Sequence, residues 1–218
     1  MKAVVTGVVV AAAAMQAGAV VNPFTETFSS PAAAWSGASA FTPLTDVGSG
    51  GPDGSGYATT DLGVTTIPVN TQLILFRGQS NFNSSGNAFV GNWQAAGVTA
   101  FTFSFRHNAP GALDVFARFA PEQGGGIVAL TSPQVQPNTW TTLTVAINPA
   151  NPFLIYEGTT FDVFNAIART QVGILVPQAL GNNPGSFTFD IDNVSITPAP
   201  GGAAVLAGGL LLAARRRR

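Results

Sequence analysis

The residues that could do chemistry are few, and the most suggestive are carboxylates. Asp190 and Asp192 stand two apart in SFTFDIDNVSI (186–196), a spacing that puts both side chains on one face of an extended strand. If the first and last strands pair, Glu26 of TETF (25–28) approaches them, and hard oxygen donors of this kind suit calcium. Read as structure alone, the same acids form a solvated edge face with two unpaired carboxylates. Asp53 in GPDGSG is a turn-type candidate, because Asp-Gly is first of all a turn signal. A second chemistry needs two acids across a cleft. Glu157 with Asp162, or Glu122 with either, offers the residue type for glycoside hydrolysis, and the two mechanisms need separations of about 5 or about 6.5–9.5 Å. His107 is the one histidine and reads as a loop residue following a strand over 98–107. A Ser-His-Asp triad would have to be built around it, and no Gly-x-Ser-x-Gly elbow offers the serine. With no cysteine, disulfides, thiolate catalysis and Cys-ligated zinc are excluded. GGPDGSG and EQGGG lack the Lys-Ser/Thr of a phosphate loop and read as turns. The sequence therefore assigns no catalytic residue, and a secreted glycan-active hydrolase using Glu157 and Asp162 is the alternative to a non-catalytic role.

The elements that must position these residues are strands. In VTAFTFSFRH (98–107), Phe101, Phe103 and Phe105 share one face while Thr102, Ser104 and Arg106 share the other. LDVFARF (113–119) puts Leu113, Val115, Ala117 and Phe119 on one side. TQLILFR (71–77), GIVAL (126–130), WTTLTVAI (140–147), QVGILV (171–176) and 186–196 complete at least seven period-2 runs bounded by turn residues, the mark of half-buried antiparallel strands. In the last run, Val194 and Ile196 fall out of phase with Phe187, Phe189 and Ile191, which predicts a bulge near Asp192-Asn193. FDVFNAIART (161–170) is a candidate short helix. No long helical period interrupts the body, so the expected fold is all-β, an antiparallel β-sandwich of jelly-roll type. Trp140, inside a predicted strand, is expected in the core; Trp35 and Trp93 are core or ligand platforms. The loops 46–56 and 80–97 are expected to supply most of the exposed, adaptable surface.

The charge distribution narrows the partners. The chain has 218 residues and a formal net charge of −1, but the body from Val20 to Thr197 holds ten carboxylates against four arginines, a balance of −6. The remaining positive charges are Lys2 and Arg215 to Arg218. An acidic body without a basic cluster argues against nucleic-acid binding.

Both ends read as processing segments. MKAVVTGVVVAAAAMQAGA has one positive charge, an apolar stretch, and Ala17 and Ala19 at the −3 and −1 positions of a cleavage site, the order of a secretory signal peptide over 1–19. At the far end, Gly201 to Ala214 is an uncharged run of 14 residues followed by Arg215, Arg216, Arg217 and Arg218. As a helix it would span about 21 Å against a hydrocarbon core of about 30 Å, short enough to need snorkelling arginines. The arginines would hold the tail on the cytoplasmic side. The expected organisation is a signal peptide (1–19), a β-sandwich (20–197) and a sorting or anchor segment (198–218), with a signal helix and a hydrophobic helix flanking the sandwich.

The tail resembles the PEP-CTERM sorting signal of bacterial envelope proteins, a short proline motif, an apolar helix and a terminal arginine cluster. The matching residues are Pro198, Ala199 and Pro200, then Gly201 to Ala214, then Arg215 to Arg218, with Ala199 standing where the family usually has Glu. The resemblance implies an exosortase-like processing enzyme as partner, an inner-membrane precursor and delivery of the body to the cell envelope, surface or matrix, often in bacteria that make exopolysaccharide. The body is similar to extracellular jelly-roll modules related to laminin B domains and carbohydrate-binding modules, in TETF (25–28), GPDGSGYA (51–58), FVGNW (89–93) and FTFDIDNVSI (187–196). That resemblance implies a non-catalytic module contacting glycan or matrix, often with a structural calcium near paired first and last strands, here at Glu26, Asp190 and Asp192.

Overall fold

The computed structural model describes residues 20–29, 31–38, 42–64, 67–181 and 185–198. The expected signal peptide, with its helix, lies outside the described residues. So do Ala199, Pro200, the apolar run and Arg215 to Arg218. Among the described residues, no helix is long and apolar enough to cross a membrane.

Eleven strands run through the described residues: β1 (Phe24–Glu26), β2 (Thr45–Val47), β3 (Tyr57–Val64), β4 (Gln72–Gln79), β5 (Val98–His107), β6 (Asp114–Ala120), β7 (Ile127–Leu130), β8 (Thr141–Ala146), β9 (Leu154–Tyr156), β10 (Arg169–Leu175) and β11 (Gly185–Pro198). They form two antiparallel sheets. One has the order β2-β3-β11-β5-β8, with β1 also paired to β11, and the other the order β4-β10-β6-β7-β9. The expected β-sandwich is what forms.

β11 is the spine of the six-stranded sheet. β5 lies along one edge, while β3 takes the first half of the other edge (Gly185 to Ile191) and β1 the second (Val194 to Ile196). The bulge expected at Asp192-Asn193 is present: the β11–β5 register shifts between Asp192 and Ser195, and Asn193 adopts a left-handed φ of 49°. Asparagine tolerates that region better than most residues. The extra residue restores phase, so Phe189, Ile191, Val194 and Ile196 all face the core.

The core is aromatic. Phe101, Phe103 and Phe105 of β5 meet Phe119 of β6, Phe76 of β4 and Phe189 of β11, all buried. Trp93 lies roughly parallel to Phe101 and Phe164, with ring centroids at 6.1 and 5.9 Å. Trp35 packs edge-on to Phe28 and Phe89 and lies against β4 so closely that a Cβ on Gly78 would come within 2.7 Å of its ring.

Three expectations need correction. Trp140 is not in the core; it sits half-exposed just before β8 on the outer face of the six-stranded sheet, because Leu143 and Val145 take the inward phase and alternation leaves position 140 on the outward one. The stretch 80–97 is not an adaptable surface loop. It winds through two 3₁₀ turns, at Ser80–Phe82 and Ser84–Asn87, and buries Ser84, Ala88, Phe89 and Trp93, with the Trp93 indole N–H donating to the Phe89 carbonyl at 2.8 Å. The short helix expected over 161–170 is a 3₁₀ turn at Phe161–Asn165 followed directly by β10.

Candidate functional site

The outer face of the six-stranded sheet carries a row set by strand register: Thr59 on β3 opposite Asp190 on β11, and Asp190 opposite Arg106 on β5. Arg106 donates through Nε to Asp190 Oδ2 at 2.7 Å. Its guanidinium also lies over two rings, 4.9 Å from the Tyr57 centroid and 4.6 Å from that of Trp140, within the range of cation–π attraction. The two rings meet edge to face at 5.4 Å. The Trp140 indole N–H donates in turn to the Gly50 carbonyl at 3.0 Å, which ties β8 to the turn after β2. Burial works against the Arg106 charge, but the hydrogen bond and charge of Asp190, with a smaller contribution from Tyr57, outweigh it and raise its pKa above the ordinary arginine value.

Beside this group lies a depression of about 320 Å³ lined by Tyr57, Thr59, Arg106 and Asp190, together with His107, Asn108, Asn138 and Thr188. Several of its walls are already fixed. Asn108 accepts the Thr188 backbone N–H at 2.8 Å, Thr188 donates its hydroxyl to Asp61 at 2.7 Å, and Thr59 donates to the Phe189 carbonyl at 3.2 Å. Two polar atoms of the lining residues have no protein partner: Asp190 Oδ1 and His107 Nδ1 are both buried, and neither makes a hydrogen bond. Such an atom costs free energy unless water or a ligand reaches it.

His107 takes no nucleophile as a neighbour. Its Nε2 lies 3.0 Å from the Val135 carbonyl, which can only accept, so the ring proton sits there. Burial is the main reason its pKa is lowered, with the Val135 carbonyl opposing, and the ring is held neutral between Phe105 and Phe189.

The expected metal donors separate. Asp190 is committed to Arg106, whereas Asp192, one row along and opposite Ser104, is roofed by the turn after β2. Its Oδ1 accepts the Asn193 N–H at 2.7 Å, its Oδ2 accepts the Ser55 hydroxyl at 3.4 Å, and a Cβ on Gly51 would approach Oδ2 to 2.8 Å. Asp192 is fully buried. Burial raises its pKa to about 6; the hydrogen bonds from Asn193 and Ser55 oppose the shift, and the nearby charges of Asp53 and Glu26 add to it. Glu26 stands opposite Val194 and accepts the Phe28 N–H through Oε1 at 2.9 Å. Pairing of the first and last strands thus brings Glu26 toward Asp192, with Asp53 closing in from the turn. Among the described residues, no group of three or more His, Asp or Glu side chains is arranged to hold a metal ion, so a cation here would need backbone or water oxygens as well.

The carboxylates weighed for hydrolysis are each occupied locally. Glu157 is held by Arg118 at 2.7 Å, and Arg118 also donates to Gln171. Asp162 accepts the hydroxyl of Thr160, whose side chain caps the 3₁₀ turn, and Glu122 accepts the Ser80 hydroxyl. The depression holds a single carboxylate, Asp190. The Tyr57–Trp140–Arg106 group escaped sequence reasoning because it joins β3, β5 and the start of β8. The one sequence signal for it was Arg106 on the outward face of 98–107.

No protein-family model matches the chain, and no curated protein matches it in sequence. Among solved structures, it resembles the CBM22-1–GH10 modules of an endo-1,4-beta-D-xylanase from Clostridium thermocellum, complexed with xylohexaose, at 13% identity and a TM-score of 0.50. It also resembles an exo-beta-agarase at 9% identity and a TM-score of 0.53. Each likeness covers 83% of this chain, and the chain spans 29% and 26% of those two chains. A family 11 carbohydrate-binding module from Clostridium thermocellum matches at 12% identity and a TM-score of 0.48, covering 83% of this chain and 97% of the module. At these identities the likeness is one of fold.

Proposed function

We propose that this chain is an exported cell-envelope protein whose β-sandwich binds glycan without acting on it. The observation that carries the reading is a depression lined by half-exposed Tyr57 with Asn108, Asn138, Thr188, Arg106 and Asp190, beside which half-exposed Trp140 packs edge to face on Tyr57. Sugar sites combine an aromatic surface with a few placed polar groups, and here both stand on strands and a braced turn. A lone carboxylate in the depression fits binding and gives hydrolysis no second acid.

Export and sorting rest on the signal-like residues 1–19 and on the Pro198-Ala199-Pro200, apolar and arginine segments, with an exosortase-like enzyme as processing partner. A structural calcium belongs to the same proposal. Glu26 and Asp192 would hold it, with Asp53 nearby, because a buried carboxylate beside two other negative groups gains most from a cation. Asp190 takes no part, being bound to Arg106.

The test is binding of the purified full chain to an array of bacterial exopolysaccharides and plant and algal glycans, with hydrolysis products monitored in parallel. Binding that leaves the glycan intact is expected. Absence of binding across the array would overturn the reading and leave a structural role.

A further inference from the structure

The depression beside Tyr57 and Trp140 has a hydrogen-bonding polarity, and it bears on which glycans could enter. Asp190 is the one carboxylate in it. Its Oδ2 is spent on Arg106 at 2.7 Å, while its Oδ1 is buried and accepts nothing. An ionised carboxyl oxygen can only accept, so the group it lacks is a donor. The opposite charge in the lining, Arg106, is already matched by Asp190 and lies against both rings, and no second cation lines the depression. A sugar hydroxyl placed at Oδ1 would satisfy it. A carboxylate placed there would set two negative groups together in a body whose balance is already −6.

We infer that Asp190 is the specificity-determining residue of this depression, which selects neutral saccharide units by their hydroxyl donors and rejects uronate units. The inference rests on the depression being the glycan site. Specificity of this type is steep, since a mismatched ligand leaves a buried polar atom unpaired. It is also invertible by one isosteric change. Asparagine at 190 keeps an oxygen for the Arg106 Nε–H and turns the atom at Oδ1 into an N–H donor. It also removes the negative charge that matches Arg106, so the same cavity then offers donors and an uncompensated cation.

The test uses oligosaccharide pairs differing only at C6, such as oligogalacturonate and its carboxyl-reduced galactan, titrated calorimetrically into the purified full chain. The wild-type chain should bind the neutral member about tenfold or more tightly than the uronate, and D190N should erase or reverse that preference. A circular-dichroism melt checks that D190N is folded; if it is not, the wild-type comparison decides alone. Uronate binding by the wild type that equals or exceeds neutral binding would overturn the inference and leave glycan binding standing. An unchanged preference in folded D190N would also overturn it. Failure of every neutral and acidic glycan to bind would remove the underlying reading together with the inference.

Discussion

The indole N–H of Trp140 donates to the carbonyl of Gly50 at 3.0 Å, across 90 residues of sequence. One side chain therefore has two tasks: it latches the turn that follows β2, and it gives Arg106 a ring to lie on at 4.6 Å.

Two substitutions separate those tasks. Trp140→Phe keeps an aromatic face but loses the N–H, so glycan affinity should fall only a few-fold while residues 48–56 lose hydrogen-exchange protection. Trp140→Ala removes both, and affinity should fall by about tenfold, equivalent to about 1.4 kcal/mol. Calorimetric titration and hydrogen exchange on the same variants make the comparison, and full affinity in Trp140→Ala would place binding elsewhere on the molecule.

Asp192 sets a pH dependence whose sign follows from its pKa, about 6 in the fold against 3.8 for the free side chain. The folded state holds this proton more tightly than the unfolded chain does. Stability from the group is therefore complete below about 3.8 and is lost as pH rises through about 6, a loss on the order of 3 kcal/mol. In EDTA, Asp192→Asn should melt higher than the wild type at pH 7 and flatten the dependence between pH 4 and 6.5. Millimolar calcium should raise the wild-type midpoint by mass action and move Asp192→Asn much less, with magnesium as the control. Equal calcium response in the two proteins would remove the metal from Asp192.

Trp93 tests the status of 80–97. Trp93→Ala should cost about 3–5 kcal/mol, the range for emptying a large aromatic site in a packed core, and denaturant melts should show it as a lower midpoint. A loss below about 1 kcal/mol would return the segment to the class of adaptable surface loops.

The tail predicts a change of compartment. Deleting residues 199–218 spares Pro198, which closes β11 opposite Val98, and should release the body from membranes on fractionation. Membrane association as tight as that of the precursor would show that the anchor lies elsewhere.

What could be read without coordinates was periodicity, and what could not was partnership. The β5 stretch Val98–His107 matched its expected span, since three alternating phenylalanines leave one phase open. The bulge after Asp192 followed from the same parity argument. β3 escaped because YATTDLGV offers small and polar residues to both faces, and β1, β2 and β9 are three residues each, too short for a period. Asp190 and Asp192 do share a face, but their fates depend on Arg106 and Ser55, which lie 84 and 137 residues away in the chain. Polar composition misled at 80–97, where Asn83, Ser85 and Asn87 take positive φ to wind the chain inward around Phe89 and Trp93.

The place of β11 governs when the molecule can fold. It is the last described strand and the centre of the larger sheet, contacting β1, β3 and β5. Until residues 185–198 leave the ribosome, β2–β3 and β5–β8 are separate pairs with no strand between them, and the inner face of β5 has no complete roof. Closure therefore waits for nearly the whole body to be synthesised and then joins segments far apart in sequence, which makes it slow. A chain built this way stays threadable through most of its synthesis, which suits the export proposed for it.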